Sequence, residues 1–286
     1  MTTTVSLPYK GRLFKARKKK YNETVLFVPF YEATQRELAR HVKFVCDLGY
    51  DAVLFDLQKP PEILNFSEGI LTPLKKWKEL LMPFEVPINS QMKFGLKHVY
   101  ADQIENMLNH IPGKKILFAF SNPGGAAIEA LARRKCADVT GVIFDSGPSM
   151  KFVESFSNFV HYNLNITPLI LRYTLAPILS YAWSPDLHKD LHTDLAQFPQ
   201  GFKVLSIRGW KDRLIPPDHI DAVFEPHHNL DWRKLSLPEA DHLLGLRDHR
   251  SEYAPVVKDF LHEISTQERT NFSNSAKFRA SACCKE

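Results

Sequence analysis

Little in this sequence is extreme, and its absences narrow the field first. Cysteine is sparse: Cys46, Cys136, Cys283 and Cys284 are the four in 286 residues. They lack the paired spacing of a metal site and are too few for a disulfide scaffold. Cys46 and Cys136 fall in apolar helical patterns, where a small buried thiol is expected. No run of about 18 uncharged apolar residues occurs, so a spanning helix is not expected. The nearest approach, ITPLILRYTLAPILSYAW, is interrupted by Arg172 and two prolines. The opening MTTTVSLPYKGRLFKARKKK lacks the apolar stretch of a secretory leader. A reducing, cytoplasmic setting is therefore expected. No internal repeat is visible. Neither charge sign dominates, the net charge being +5. The run Arg17–Lys20 reads as a solvated strand edge, so no nucleic-acid partner is expected.

What is present is a composition that folds. Hydrophobic residues make up 44% and aromatics 12%, enough for a full core. The stretches ETVLFVPF, DAVLFDL, KKILFAFS, VTGVIFDS and FKVLSIRG are short continuous apolar runs. Such runs suit strands covered on both faces. Helical patterns separate them: TQRELARHVKFVCDLG, stopped by Gly49, then LKHVYADQIENMLNHI, a helix near PDHIDAVF and a last one at SEYAPVVKDFLHEI. Alternation of this kind predicts an α/β fold, a mainly parallel sheet with helices on both faces. The expected organisation is an N-terminal strand or hairpin over residues 1–21 and a core from 22–147 and 201–265. A helical cap over 148–200 and a polar, disordered tail over 266–286 complete it. Residues 58–96 form a second long connection.

The strand KKILFAFS runs into Ser121-Asn122-Pro123-Gly124-Gly125 and then a helix. This nearly spells the G-x-S-x-G turn that presents a serine nucleophile. Registering on the two glycines puts Asn122 at the nucleophile position, with bulky Phe120 two residues before it. Registering on Ser121 puts compact Ala119 before and Pro123 after. Proline in a first helical turn sacrifices no hydrogen bond. The Ser121 register is the better one; a serine capping an ordinary helix is its bland counterpart.

Two later loops extend the reading. LSIRGWKDRLIPP ends a strand with Asp212 and a proline that starts a helix, and LPEADHLLGLRDHRSEY places His242 between a strand and the last helix. Ser121, Asp212 and His242 stand in the chain order nucleophile, acid, base. Asp145, at the tip of VIFDSGPS, is the rival acid, and His249 the rival base. In this arrangement His242 takes the Ser121 proton and Asp212 fixes the imidazole. The oxyanion hole would use the backbone N–H of Asn122 and that of Tyr31 or Phe30.

Together FAFSN with its following Gly pair, GVIFDSGPS, RGWKDRLIP and HLLGLRDHRSEYAPVVKDFL resemble the α/β-hydrolase-like family that contains transmembrane protein fifty-three and the fungal indole-diterpene biosynthesis protein Pax U. The resemblance spans residues 22–265. It implies an α/β-hydrolase fold and Ser121 as nucleophile. Two departures stand out: Pro123 is an extra residue before the Gly pair, and the membrane span is missing.

The expected function is a serine hydrolase acting on an ester, thioester or small amide. Aromatic residues over 148–200 (Phe152, Phe156, Phe159, Tyr162, Tyr173, Tyr181, Trp183) point to an apolar acyl or aromatic substrate, or simply pack the cap. No cofactor or metal is required. The alternative is a non-catalytic hydrolase fold used for binding or regulation. Weak peripheral membrane contact through the cap and the basic N-terminal run is compatible with either.

Overall fold

In the computed structural model, residues 7–58, 85–88 and 91–266 are described. Among these residues lie nine strands and nine helices, numbered in chain order. Seven strands form one sheet in the order β1 (Arg12–Phe14), β3 (Asp51–Leu54), β2 (Thr24–Val28), β6 (Lys115–Phe120), β7 (Val139–Asp145), β8 (Phe202–Gly209), β9 (Leu230–Leu237). Only β1 runs antiparallel to its neighbour; every other pair is parallel. The remaining strands, β4 (Glu85–Ile88) and β5 (Gln91–Phe94), make a separate antiparallel hairpin.

The continuous apolar runs have a direct explanation in this sheet. Successive strand side chains point to opposite faces, and both faces are covered. Leu26, Val28, Leu117, Ala119, Val142, Phe144 and Val204 enter one core. Val25, Phe27, Ile116, Phe118, Phe120, Ile143, Leu205 and Ile207 enter the other. The first core is closed by α2 (Leu96–His110), α3 (Gly124–Arg133) and α7 (Pro217–Phe224). The second is closed by α1 (Ala39–Leu48) and α9 (Arg250–Glu263), with the short α8 (Gly245–Asp248) beside them. Phe118 stacks on Phe120 at 5.0 Å and on Phe27 at 5.4 Å. Truncating such a ring to Ala costs about 3–5 kcal/mol.

Three helices lie between β7 and β8: α4 (Phe152–Tyr162), α5 (Leu169–Trp183) and α6 (Leu187–Ala196). Leu187, Leu191 and Leu195 seat α6 in the first core. In contrast, α5 buries only Ala176 and Trp183. Among the described residues no helix is long and apolar enough to cross a membrane.

Several sequence expectations need adjustment. Of the strand or hairpin expected over residues 1–21, the described residues contain the strand β1. The chain leaves β1 because the buried Asp51 carboxylate accepts the Ala16 N–H at 3.0 Å and ion pairs with Lys15 and Lys19. The α1 helix starts at Ala39 rather than near Thr34, since Glu37 accepts the Thr34 N–H and hydroxyl in a preceding turn. Cys136 is buried but sits in the turn after α3, and burial pushes its thiol up to about 12. The tail from residue 267, with Cys283 and Cys284, lies outside the described residues.

Candidate active site

The end of β6 is where the chain changes direction most abruptly. Ser121 adopts φ +56°, a left-handed conformation that costs a non-glycine residue on the order of 1–2 kcal/mol. Backbone bonds hold it there. The Ser121 N–H donates to the Asp145 carbonyl at 2.9 Å, Gly124 N–H to the Ser121 carbonyl at 3.0 Å, and Gly125 N–H to the Asn122 carbonyl at 2.9 Å. Pro123 is the N-cap of α3, and its fixed φ suits the turn. The extra residue before the Gly pair is thus absorbed in the turn that starts the helix. Ala119 is fully buried, as a position two residues before a tight bend requires.

The loops after β8 and β9 meet at this bend. Asp212 follows β8, with its side chain sealed from solvent. Its Oδ1 accepts the backbone N–H of Leu214 at 2.9 Å and of Ile215 at 2.8 Å. Its Oδ2 is 2.7 Å from His242 Nδ1. A carboxylate only accepts, so Nδ1–H is the donor and His242 Nε2 is left with a free lone pair. The Ser121 hydroxyl lies 3.1 Å from that nitrogen and donates to it. The two loops are themselves joined: Lys211 N–H donates to the Ala240 carbonyl at 3.0 Å. A Cβ on Gly209 would stand 2.2 Å from the same carbonyl oxygen, so only glycine permits that approach.

Asp145 has a different set of partners. Its Oδ2 accepts the Tyr253 hydroxyl at 2.6 Å, and its Oδ1 accepts the Ser146 hydroxyl at 3.0 Å. His41 Nε2 is 3.7 Å away. Burial, and then the Asp145 charge, hold the Tyr253 phenol well above its ordinary range, so it stays a donor. Ser146 Oγ in turn accepts the Leu243 N–H at 3.0 Å, beside His242. Asp145 therefore anchors the loop that carries His242 but does not touch the imidazole. His249 caps α9 and stands 4.0 Å from Glu252, away from Ser121.

Of the oxyanion donors, the Asn122 N–H has no hydrogen-bond acceptor among the described residues. The Asn122 side-chain oxygen accepts the Ser149 N–H at 3.3 Å. Val28 of β2 pairs with Ala119 of β6, so Phe30 and Tyr31 follow the end of the strand beside the one that leads into Ser121. Their side chains diverge, Phe30 onto the α1–α9 core and Tyr31 onto the other. Among the described residues, no group of His, Cys, Asp and Glu side chains is arranged to hold a metal.

Sequence reasoning missed two buried polar groups among the described residues. His219 Nδ1 lies 3.2 Å from Ser149 Oγ and 3.1 Å from Ser155 Oγ, tying α7 to the chain entering α4. Lys97, fully buried, meets Glu129 at 2.8 Å, Asp190 at 3.4 Å and Asp194 at 3.5 Å, bridging α2, α3 and α6. Neither has a local signature, because each is assembled from positions far apart in the chain. Ser146 and Tyr253 did leave a trace, as members of the FDSGPS and terminal-helix motifs.

No protein-family profile matches this sequence, and no curated protein sequence is similar to it at a significant level. Solved structures are similar in shape. The Pyrococcus furiosus esterase Pf2001 aligns with a TM-score of 0.55 and 14% identity, over 91% of this chain and 94% of the esterase. The mouse alpha/beta hydrolase domain-containing protein 10 gives 0.56 and 13%, over 89% and 94%. A bromoperoxidase from Bacillus anthracis gives 0.55 and 14%, over 88% and 94%. At such identities the likeness carries architecture, and with the parallel sheet covered on both faces the chain has the α/β-hydrolase fold.

Proposed function

We propose that this protein is a serine hydrolase that cleaves an ester, thioester or small amide through Ser121, His242 and Asp212. The observation that carries the reading is the unbroken relay from Ser121 Oγ to His242 Nε2 at 3.1 Å and from His242 Nδ1 to Asp212 at 2.7 Å. In the first half-reaction Ser121 Oγ attacks the acyl carbonyl while His242 takes its proton. The tetrahedral oxyanion is met by the Asn122 N–H, with a second donor from Phe30 or Tyr31. Collapse expels the alcohol, thiol or amine, which leaves with the proton from His242. Water then enters, gives its proton to His242, and releases the acid by the same path in reverse. Asp212 stabilises the imidazolium and fixes its tautomer. That several of the similar structures are esterases agrees with this assignment.

The helices α4 and α5 act as the cap, and Phe152, in ring contact with both Phe156 and Trp183, favours an apolar acyl or aromatic group. Kinship with the transmembrane protein fifty-three and Pax U group belongs to this proposal and rests on the motifs at the elbow and after β7. So does a reducing, cytoplasmic location, with which the free thiols of Cys46 and Cys136 agree.

A fluorophosphonate probe provides the test. Wild-type protein should be labelled on Ser121, mapped by peptide mass spectrometry, and Ser121→Ala should take up no probe. Folded wild type that stays unlabelled would leave a non-catalytic member of the fold, used for binding. A panel of p-nitrophenyl esters of increasing chain length then ranks the acyl preference.

A further inference from the structure

One helix is dressed for a solvent other than water. On α5, Leu169 is 59% exposed, Ile170 80%, Tyr173 68%, Ile178 55% and Tyr181 59%. On α4, Tyr162 and Val153 are also exposed, at 45% and 44%. So many exposed large apolar side chains on one helix are unusual on a protein that meets only water.

The polar inventory of that face says what covers it. Of the two serine or threonine hydroxyls on α5, Thr174 Oγ1 is satisfied by the helix itself, donating toward the Ile170 and Leu171 carbonyls at 2.9 and 3.0 Å, and Ser180 is half-buried. No carboxylate occurs between Glu154 and Asp186, and Arg172 is the single Lys or Arg in that stretch. Glu154 is engaged by His219 at 3.3 Å. Protein interfaces carry roughly one hydrogen bond per 100–200 Å², and α5 offers few groups for them beyond its tyrosine phenols and the half-buried Ser180. A fluid hydrocarbon boundary demands none. Tyrosines suit such a boundary, having an apolar body and a polar tip. Cations are at hand for headgroup phosphates: the exposed Arg213 guanidinium stands 5.8 Å from the Tyr162 ring centroid. At 15 residues α5 is about 22 Å long, short of the ~30 Å hydrocarbon core.

We propose that the outward face of α5, with Tyr162 of α4, docks the protein onto an anionic phospholipid surface, lying in the headgroup plane without crossing the bilayer. The body of the protein takes the place of the polar face of an ordinary interfacial helix. Docking does not require the hydrolase reading, so the two can fail separately.

Vesicle flotation tests it, using full-length protein with vesicles of phosphatidylcholine alone and with added phosphatidylserine. Wild type and Ser121→Ala should both float, more strongly with phosphatidylserine and less at high salt. Ile170→Asp with Ile178→Asp should lower partitioning by roughly tenfold or more. Both side chains are exposed, so thermal unfolding and probe labelling in buffer should match wild type and certify the fold. Wild type remaining in the soluble fraction would overturn the proposal, as would a folded double variant that floats equally well. Light scattering supplies the last arm: a wild-type dimer that the double variant converts to monomer would assign the face to a second copy instead.

Discussion

Leu243 donates its N–H to Ser146 Oγ at 3.0 Å, and both residues sit at positive φ, +60° and +58°. Through this one bond the loop that carries His242 is fastened to the end of β7, and thence to Asp145 and Tyr253. Ser146→Ala removes the acceptor and leaves a half-buried N–H without a partner. The expected result is a stability loss of ~1–2 kcal/mol and slower probe labelling at Ser121 by roughly tenfold, because the imidazole is less well held. Urea unfolding and labelling kinetics read the two effects. An unchanged labelling rate would show that the bond serves the fold alone.

The two aspartates separate by variant. Asp212→Asn puts an amide opposite His242 Nδ1 and disturbs the tautomer that frees Nε2, so hydrolysis should fall about 10³- to 10⁴-fold with little loss of stability, by analogy with serine protease triads. Asp145→Asn should do the reverse: hydrolysis within about tenfold of wild type, stability lower by ~1–3 kcal/mol as the Tyr253 hydroxyl loses its charged acceptor. Ester turnover and denaturant midpoints on both variants make the comparison. Equal losses of turnover would sink the division of labour.

Gly147 is pressed against the elbow so closely that a Cβ would lie 2.5 Å from the Ser121 carbonyl oxygen and 2.8 Å from its Cα. The obstacle is backbone, so it cannot swing aside. Gly147→Ala must therefore move Ser121 or the loop. A shift of even 1 Å at a reacting atom can cost about 10²-fold. Labelling should fall by that order while the far-ultraviolet circular dichroism is retained.

The buried cation cluster gives a pH signature. Burial is the main cause that pushes the Asp194 carboxyl up to about 6, from 3.8, against the pull of Lys97 and with the help of Glu129 and Asp190. A folded-state value above the unfolded one stabilises fully below pH ~4, and that contribution is lost as pH rises through about 6. Asp194→Asn abolishes the loss. The variant should match wild type near pH 4 and exceed it at pH 8 by up to ~3 kcal/mol, since each pH unit by which a carboxyl is raised is worth about 1.4 kcal/mol. Denaturant unfolding at the two pH values decides. A gap that does not widen with pH would mean that Lys97 compensates the ionised carboxylate in full.

Local pattern alone determined a good deal about this protein. Strands buried on both faces must be apolar at every position, and the runs at β2, β3, β6, β7 and β8 are legible for that reason. Chain order marked Ser121, Asp212 and His242 as candidates, because the loops that carry them each follow a strand of the same sheet. Only the tertiary structure decided between Asp212 and Asp145. Both follow strands, and the choice depends on which carboxylate faces an imidazole 30 residues downstream of one of them. It also decided that Ser121 takes φ +56°, that Lys97 is buried among carboxylates of three helices, and that α5 turns its apolar side outward. Periodicity reports which residues share a face; what that face meets is set by contacts between distant segments, and no local window contains them.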